Sequence, residues 1–288
     1  MSFGSELSSE FNKLTNGVFY AEVQLFTKLQ DAFANMKFNS HFGMAIDIIH
    51  GSKSFVEFRH DAKYIGNPAA GCTKTRELSD MLFVVFKTQG RREIRLMYMQ
   101  NKKGDNSTKF TADLLQLHLL KERKEILSNP LPPCVFDNSE ILSKAVLPSV
   151  GSYGVFYQAN AGKIEMAYYP AARIKLCNQT GGVTRKVYYD SQQIPFSTTN
   201  TINGYKESQG EETLEDFANA LVHMEIGTPM LKDPAINKLA QFLNSNSPIF
   251  REYHSLFDIQ VDLEEVSTEG MPFTCVINAD LVSQIDEH

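Results

Sequence analysis

Cysteine is scarce and scattered in this chain. Cys72, Cys134, Cys177 and Cys275 lie tens of residues apart, with no CxxC pair and no histidine at finger-like spacing beside them, which argues against a structural zinc site. The first residues, Met1 to Glu6, carry neither a basic segment nor an apolar run, so the scattered thiols fit a reducing cytoplasm better than a secreted disulfide scaffold. Long hydrophobic runs are also missing. The longest, Met81 to Phe86, is far below the roughly 20 residues that cross a bilayer, and no membrane contact is expected. Neither HExxH, GxSxG, a P-loop nor GxGxxG occurs, which leaves zincin, hydrolase-elbow, NTPase and dinucleotide readings without residue support. His41, Asp47, His50 and His60 fall close together but without helical metal-ligand spacing, so structural roles are expected for them. Positive charge is not in excess: 34 acidic residues face 28 basic ones, a net charge of -6. Any phosphate contact must therefore be local.

What is present describes a mixed α/β chain. Its 288 residues and 42% hydrophobic content suffice for one large domain or a domain plus an appendage. Apolar residues at three- and four-residue spacing (Val18, Phe19, Val23, Phe26, Leu29, Phe33) predict a helix over Asn16–Met36, capped by Thr15. Short β-branched or aromatic runs at Met44–Ile49 and Phe55–Phe58 predict two strands around a turn at Gly51–Lys53. The continuous apolar run within Glu77–Phe86 predicts a strand buried on both faces. Glu93–Gln100 is its hairpin partner, closed by Lys102 to Asn106. A helix over Thr111–Leu127 follows, with Thr111 as cap and Asn129–Pro133 as terminator. Further on, the pattern predicts strands at Tyr153–Gln158, Ile164–Tyr169 and Val187–Tyr189. Helices are expected at Thr213–Met224 and at Asp233–Leu243, the latter with Asp233 as cap and Pro234 at the first position.

Charge divides unevenly. Between Lys87 and Glu125 ten cations (Lys87, Arg91, Arg92, Arg95, Lys102, Lys103, Lys109, Lys121, Arg123, Lys124) face five anions, a local excess of about +5 that attracts phosphate. The segment 206–288 is strongly acidic, which disfavours nucleic acid there and suits a protein partner or solvent. Asp80 lies at one strand, and Gln100-Asn101-Lys102 stands at the end of the next. Alternation puts Gln100 and Lys102 on one side and Asn101 on the other. A hairpin brings Asp80 beside Gln100. A carboxylate and an amide oxygen are the hard ligands Mg²⁺ prefers, and a neighbouring lysine orients an attacking water and offsets transition-state charge.

Those residues, with the helix before them and the helix after, resemble the PD-(D/E)xK superfamily of restriction-endonuclease-like nucleases, in the variant where glutamine precedes xK. The likeness spans about 16–128. It implies a core of helix, three antiparallel strands, helix and strand, with Asp80, Gln100 and the helix acid Glu22 as ligands of Mg²⁺ or Mn²⁺ and Lys102 positioning the nucleophile. Glu77 is a second acidic candidate, though three residues before Asp80 in a regular strand it faces away. Lys103, Lys109 and Gln116 would contact the nucleic acid. The chain departs from the family in carrying Ser79 where a proline often stands, and in the neutral Gln100, which lowers the negative charge available to a metal. The resemblance implies a nuclease-like domain over 9–205, an acidic, partly helical extension over 206–288, DNA as substrate, and a prokaryotic restriction or anti-phage role with a protein partner or as a homo-oligomer. The alternative is an inactive nuclease-fold scaffold or interaction subunit.

Overall fold

The structure, a computed structural model, describes residues 2–37, 54–60, 72–128, 139–177, 183–230, 234–246, 251 and 273–280. Two helices open the chain, α1 (Phe3–Thr15) and α2 (Glu22–Lys37). Strands β1 (Phe55–Arg59), β2 (Thr73–Glu77), β3 (Met81–Lys87), β4 (Glu93–Asn106) and β5 (Lys109–Asp113) lead to α3 (Leu114–Lys121). After it come β6 (Gly151–Gln158), β7 (Ile164–Pro170), β8 (Ile174–Leu176) and β9 (Thr184–Tyr189). The hairpin β10 (Thr199–Ile202) and β11 (Tyr205–Ser208) precedes α4 (Leu214–Val222), β12 (Thr228–Pro229), α5 (Pro234–Asn246) and β13 (Phe273–Asn278). The expected α/β class holds: helices flank a mixed sheet of nine strands.

The expected helix over Asn16–Met36 starts late, as α2 at Glu22, and an unexpected helix, α1, precedes it. Thr15 caps nothing; its hydroxyl donates back to Phe11 O (3.1 Å) as α1 ends, and Asn16 (φ 49°) and Gly17 (φ 71°) turn left-handed, which stops the helix. Val18 and Val23, expected on the buried stripe, are 51% and 72% exposed. Leu29 and Phe33 are buried as expected, joined by Leu25, Ala32 and Met36 at helical spacing.

The strand expected from Glu77 to Phe86 starts only at Met81. Glu77 belongs to β2, which pairs with β1 from Phe55↔Glu77 to Arg59↔Thr73 in a separate two-stranded sheet. β3 and β4 form the expected hairpin, Met81↔Met99 through Lys87↔Glu93. β4 then runs on past Gln100 to Asn106, where the sequence predicts its close. The helix expected from Thr111 is β5 followed by α3. Phe110 and Ala112 point inward while Lys109 and Thr111 point outward, a strand alternation. The cap is Asp113, whose Oδ1 accepts from Leu115 N and Gln116 N at 2.8 and 3.0 Å. The helix ends at Lys121 rather than Leu127, with Arg123 at φ 50°. The expected strands at Tyr153–Gln158, Ile164–Tyr169 and Val187–Tyr189 are β6, β7 and β9, and the helix over Thr213–Met224 is α4, capped by Thr213. The expectations for Met44–Ile49, Gly51–Lys53, Asn129–Pro133, His41, Asp47, His50, Cys134 and the Asp233 cap lie outside the described residues.

β3 and β4 sit in the middle of the sheet. β13 runs parallel to β3, while β6 runs parallel to β4 from Tyr98↔Gly151 to Lys103↔Phe156 and pairs antiparallel with β7 on its far side. Successive side chains therefore feed two cores. Leu82, Val84, Phe86, Leu96 and Tyr98 pack with α3 and Tyr153. Met81, Phe83, Val85, Met97 and Met99 pack against Leu7 and Phe11 of α1, Leu29 and Phe33 of α2, and Phe217 of α4. Segments from 206 onward belong to this same sheet, since β12 pairs with Arg95 and Leu96 and β13 flanks β3. Residue 206 itself lies within β11. No helix among the described residues is long and apolar enough to cross a membrane.

Candidate functional site

The site forms where β4 outruns β3. The hairpin register ends at Met81↔Met99, so Asp80 stands across from Gln100 one step past the ladder. Asp80 is anchored by its backbone: its N–H donates to Met99 O (3.1 Å) and its carbonyl accepts from Phe273 N at the start of β13 (3.2 Å). Its carboxylate Oδ2 accepts from Asn101 N at 2.6 Å. The side chain is half-buried, and burial raises its pKa above the usual aspartate value, opposed by the Lys102 ammonium and the Asn101 N–H and reinforced by the Glu22 carboxylate.

Glu22 enters from the first turn of α2. Its Oε1 lies 3.3 Å from Lys102 Nζ, and its Oε2 accepts from Lys103 N at 3.0 Å. Lys102 is the more enclosed of the ion pair, with 17% of its side chain exposed against 42% for Glu22. The Lys103 ammonium turns the other way, donating to Tyr20 O (2.9 Å) and Phe19 O (3.4 Å) and sitting 4.0 Å over the Phe19 ring.

Gln100 is fully buried and Gln116, from the first turn of α3, nearly so. The Gln116 Nε2 donates to Glu77 O at 3.0 Å. The Gln100 amide is satisfied when its nitrogen faces Asp80 Oδ2 (3.2 Å) and its oxygen accepts from Gln116 Nε2 (2.8 Å) and Ser79 N (3.3 Å). Asp80, Gln100, Lys102, Glu22, Lys103 and Gln116 thus come together, with Gln116 engaged by protein rather than open to a ligand. Lys109 does not join them; it is exposed at the start of β5, paired with Asn106 and Tyr188. Glu77 contributes its carbonyl.

Sequence reasoning missed Tyr153. It is the register partner of Gln100 across the parallel β4–β6 pair, and its buried hydroxyl has no hydrogen-bond partner. Burial holds that hydroxyl well above the usual tyrosine pKa, with Asp113 and Asp80 adding to the rise. Ser79 Oγ is a second buried and unpartnered oxygen beside Asp80. Parallel register depends on a long crossover and leaves no local trace in sequence.

Other members of the basic stretch serve the fold. Arg95 is buried, with Nε 2.5 Å from Glu93 and Nη1 donating to Lys206 O (2.7 Å). Lys121 donates to Ile174 O and Arg123 to Ala145 O at 2.5 and 2.6 Å. Arg91 lies 4.3 Å over the Tyr205 ring.

Among the described residues no group of three or more His, Cys, Asp or Glu side chains is arranged to hold a metal. The oxygen set here is different in kind: two carboxylates, Asp80 and Glu22, and one amide, Gln100. The end of Gln100 nearest Asp80 lies 3.2 Å from Oδ2, close to the roughly 3 Å edge between neighbouring oxygens of an octahedral Mg²⁺ site with bonds of about 2.1 Å. The donor chemistry fits a hard divalent cation, provided Gln100 presents oxygen to it. No protein-family profile, curated protein or solved structure matches the chain.

Proposed function

We propose that the chain is a metal-dependent endonuclease that hydrolyses DNA phosphodiester bonds in the cytoplasm, in a prokaryotic restriction or anti-phage setting. The observation that carries the reading is the convergence of Asp80, Gln100, Lys102 and Glu22 at the notch between β3 and the overhanging half of β4. Asp80, Gln100 and Glu22 would hold Mg²⁺ or Mn²⁺, which supplies charge neutralisation and an activated water. Lys102 supplies the ammonium: enclosed and held by Glu22, it sits beside Asp80 where it positions a water and offsets the negative charge that develops on phosphate oxygens. Asn101 N–H fixes the carboxylate rotamer of Asp80. Lys103 pins the start of α2 to β4, which keeps Glu22 in reach. With Lys102 and Lys103 both engaged by protein groups and a net charge of -6, productive binding calls for a DNA-reading partner or a second copy.

A second reading, an inactive nuclease-fold scaffold, is favoured by one feature. Lys102 is already paired with Glu22, and Gln100 turns an N–H rather than an oxygen to Asp80. Supercoiled plasmid incubated with Mg²⁺ or Mn²⁺ separates the two. Nicking that needs the metal and disappears in Lys102→Ala is the expected result; equal behaviour of wild type and variant across both metals returns the chain to the scaffold reading.

A further inference from the structure

We propose that Cys72 is a peroxide-sensitive thiol with His60 as its base, at the Arg59 end of the β1–β2 ribbon. This site is separate from the notch and independent of the nuclease reading. The ladder of the ribbon runs from Phe55↔Glu77 to Arg59↔Thr73. His60 N then donates to Cys72 O at 3.4 Å, so the next opposed pair is His60 and Cys72. Opposed residues of an antiparallel pair share a face, with Cβ atoms about 4.5–5.5 Å apart. The shared face here is the inner one, because Val56 and Phe58 alternate into the core beside α3. Rotation about the Cα–Cβ bond of Cys72 brings its sulfur to the imidazole. Lys74 follows two residues on along the same face, where an ammonium group offsets the charge of a thiolate.

The burial of the two side chains separates this pair from a plain core contact. His60 is 2% exposed, yet neither ring nitrogen has a hydrogen-bond partner among the described residues, an arrangement that costs stability in a purely structural histidine. Cys72 is free and half-buried, so a small neutral oxidant reaches its sulfur. A neutral imidazole keeps one nitrogen as an acceptor, and it is the side-chain base suited to near-neutral pH. With hydrogen peroxide as co-reactant, the Cys72 sulfur attacks one peroxide oxygen while that nitrogen takes the thiol proton. The S–O bond forms and the O–O bond breaks. The departing hydroxide recovers the proton from the imidazolium and leaves as water, so the sulfur is oxidised to a sulfenic acid and the peroxide is reduced. Cys177 supplies the contrast within the same molecule. It is also free and half-buried, and its N–H donates to Lys186 O at 3.1 Å just past β8, which sets it opposite a lysine rather than an imidazole.

The test is dimedone trapping of the sulfenic acid in the full chain under dilute hydrogen peroxide, read at each cysteine by peptide mass spectrometry. Cys72 should be labelled at least about tenfold faster than Cys177. His60→Phe keeps a buried ring without a base and should bring Cys72 down to the Cys177 rate while leaving Cys177 unchanged. His60→Ala opens space for added imidazole, which should restore much of the rate at Cys72 and none at Cys177, a rescue that lost packing alone would not give. A rise at Cys177 in the phenylalanine variant marks unfolding, and His60→Gln, which has no basic nitrogen, then takes its place. Equal labelling of the two cysteines in wild type, a Cys72 rate unchanged by the His60 substitutions, or a loss in His60→Ala that imidazole does not restore overturns the inference. None of these outcomes bears on plasmid nicking, which tests the metal site separately.

Discussion

The two ends of β4 hold charge in opposite ways. At the Arg95 end the guanidinium is 3% exposed, bonded to Glu93 and to Lys206 O and flanked by the Tyr205 ring. At the Lys102 end, Asp80 is half-buried with a raised pKa, Ser79 Oγ and Tyr153 OH lack partners, and Glu22 is 42% exposed. Both clusters come from one basic stretch, and the same strand positions both. What separates structure from site is closure: a buried ion whose neighbours are satisfied holds a fold together, whereas unpartnered buried oxygens beside a desolvated carboxylate cost the fold stability.

Breaking the closed end should cost most. Arg95→Met leaves Lys206 O and most of the Glu93 charge unpaired, with Arg91 still 3.8 Å from Glu93; we expect a loss of about 3 kcal/mol in urea unfolding and no change in Mn²⁺ affinity. Lys102→Ala inverts that profile. Plasmid nicking should fall by about 100-fold or more, with stability within about 1 kcal/mol of wild type because its partner Glu22 is partly exposed; a large loss of stability would make Lys102 a structural residue like Arg95.

Asp80→Asn sharpens the contrast through pH. A carboxyl whose folded pKa is raised gives the native state more bound protons between the unfolded and folded values, so stability falls as pH rises through that window. The asparagine variant escapes the penalty. It should melt above wild type at pH 7, and the gap should close as pH drops below the ordinary aspartate value of about 3.9, a trend that thermal scans across pH would check. The smallest effect concerns hydroxyls. Tyr153→Phe removes an oxygen with no partner and should be neutral or stabilising by roughly 1 kcal/mol, whereas Tyr168→Phe forfeits the contact with Ser152 Oγ at 3.2 Å and should cost about 1 kcal/mol; equal costs in the two would erase the distinction between open and closed ends.

Much of this arrangement was legible in sequence because it is local. The hairpin from Met81 to Met99, with Gln100 and Lys102 on one side, follows from a six-residue apolar run and a strand alternation. The α4 cap at Thr213 follows from residue type. The failures have physical causes. Asn16 and Gly17 turn left-handed where the sequence predicts the start of a helix, α2 begins only at Glu22, and Val18 and Val23 end up in solvent. Thr111 has the right chemistry for a cap, yet β9 pairs with it across Lys186 and draws it into a strand, passing the cap to Asp113. Tyr153 and β13 join the site by parallel pairing, which no local pattern announces.

That last pairing bears on how the protein matures during synthesis. β3 gains its second neighbour from a segment about 190 residues later in the chain, and the Asp80 carbonyl is met by Phe273 N only when that segment arrives. Contacts of such separation form late. A nascent chain emerging from the ribosome therefore carries an apolar strand with one bare edge, a hazard for pairing with other chains, and an unfinished notch, until the segment Phe273–Asn278 has emerged.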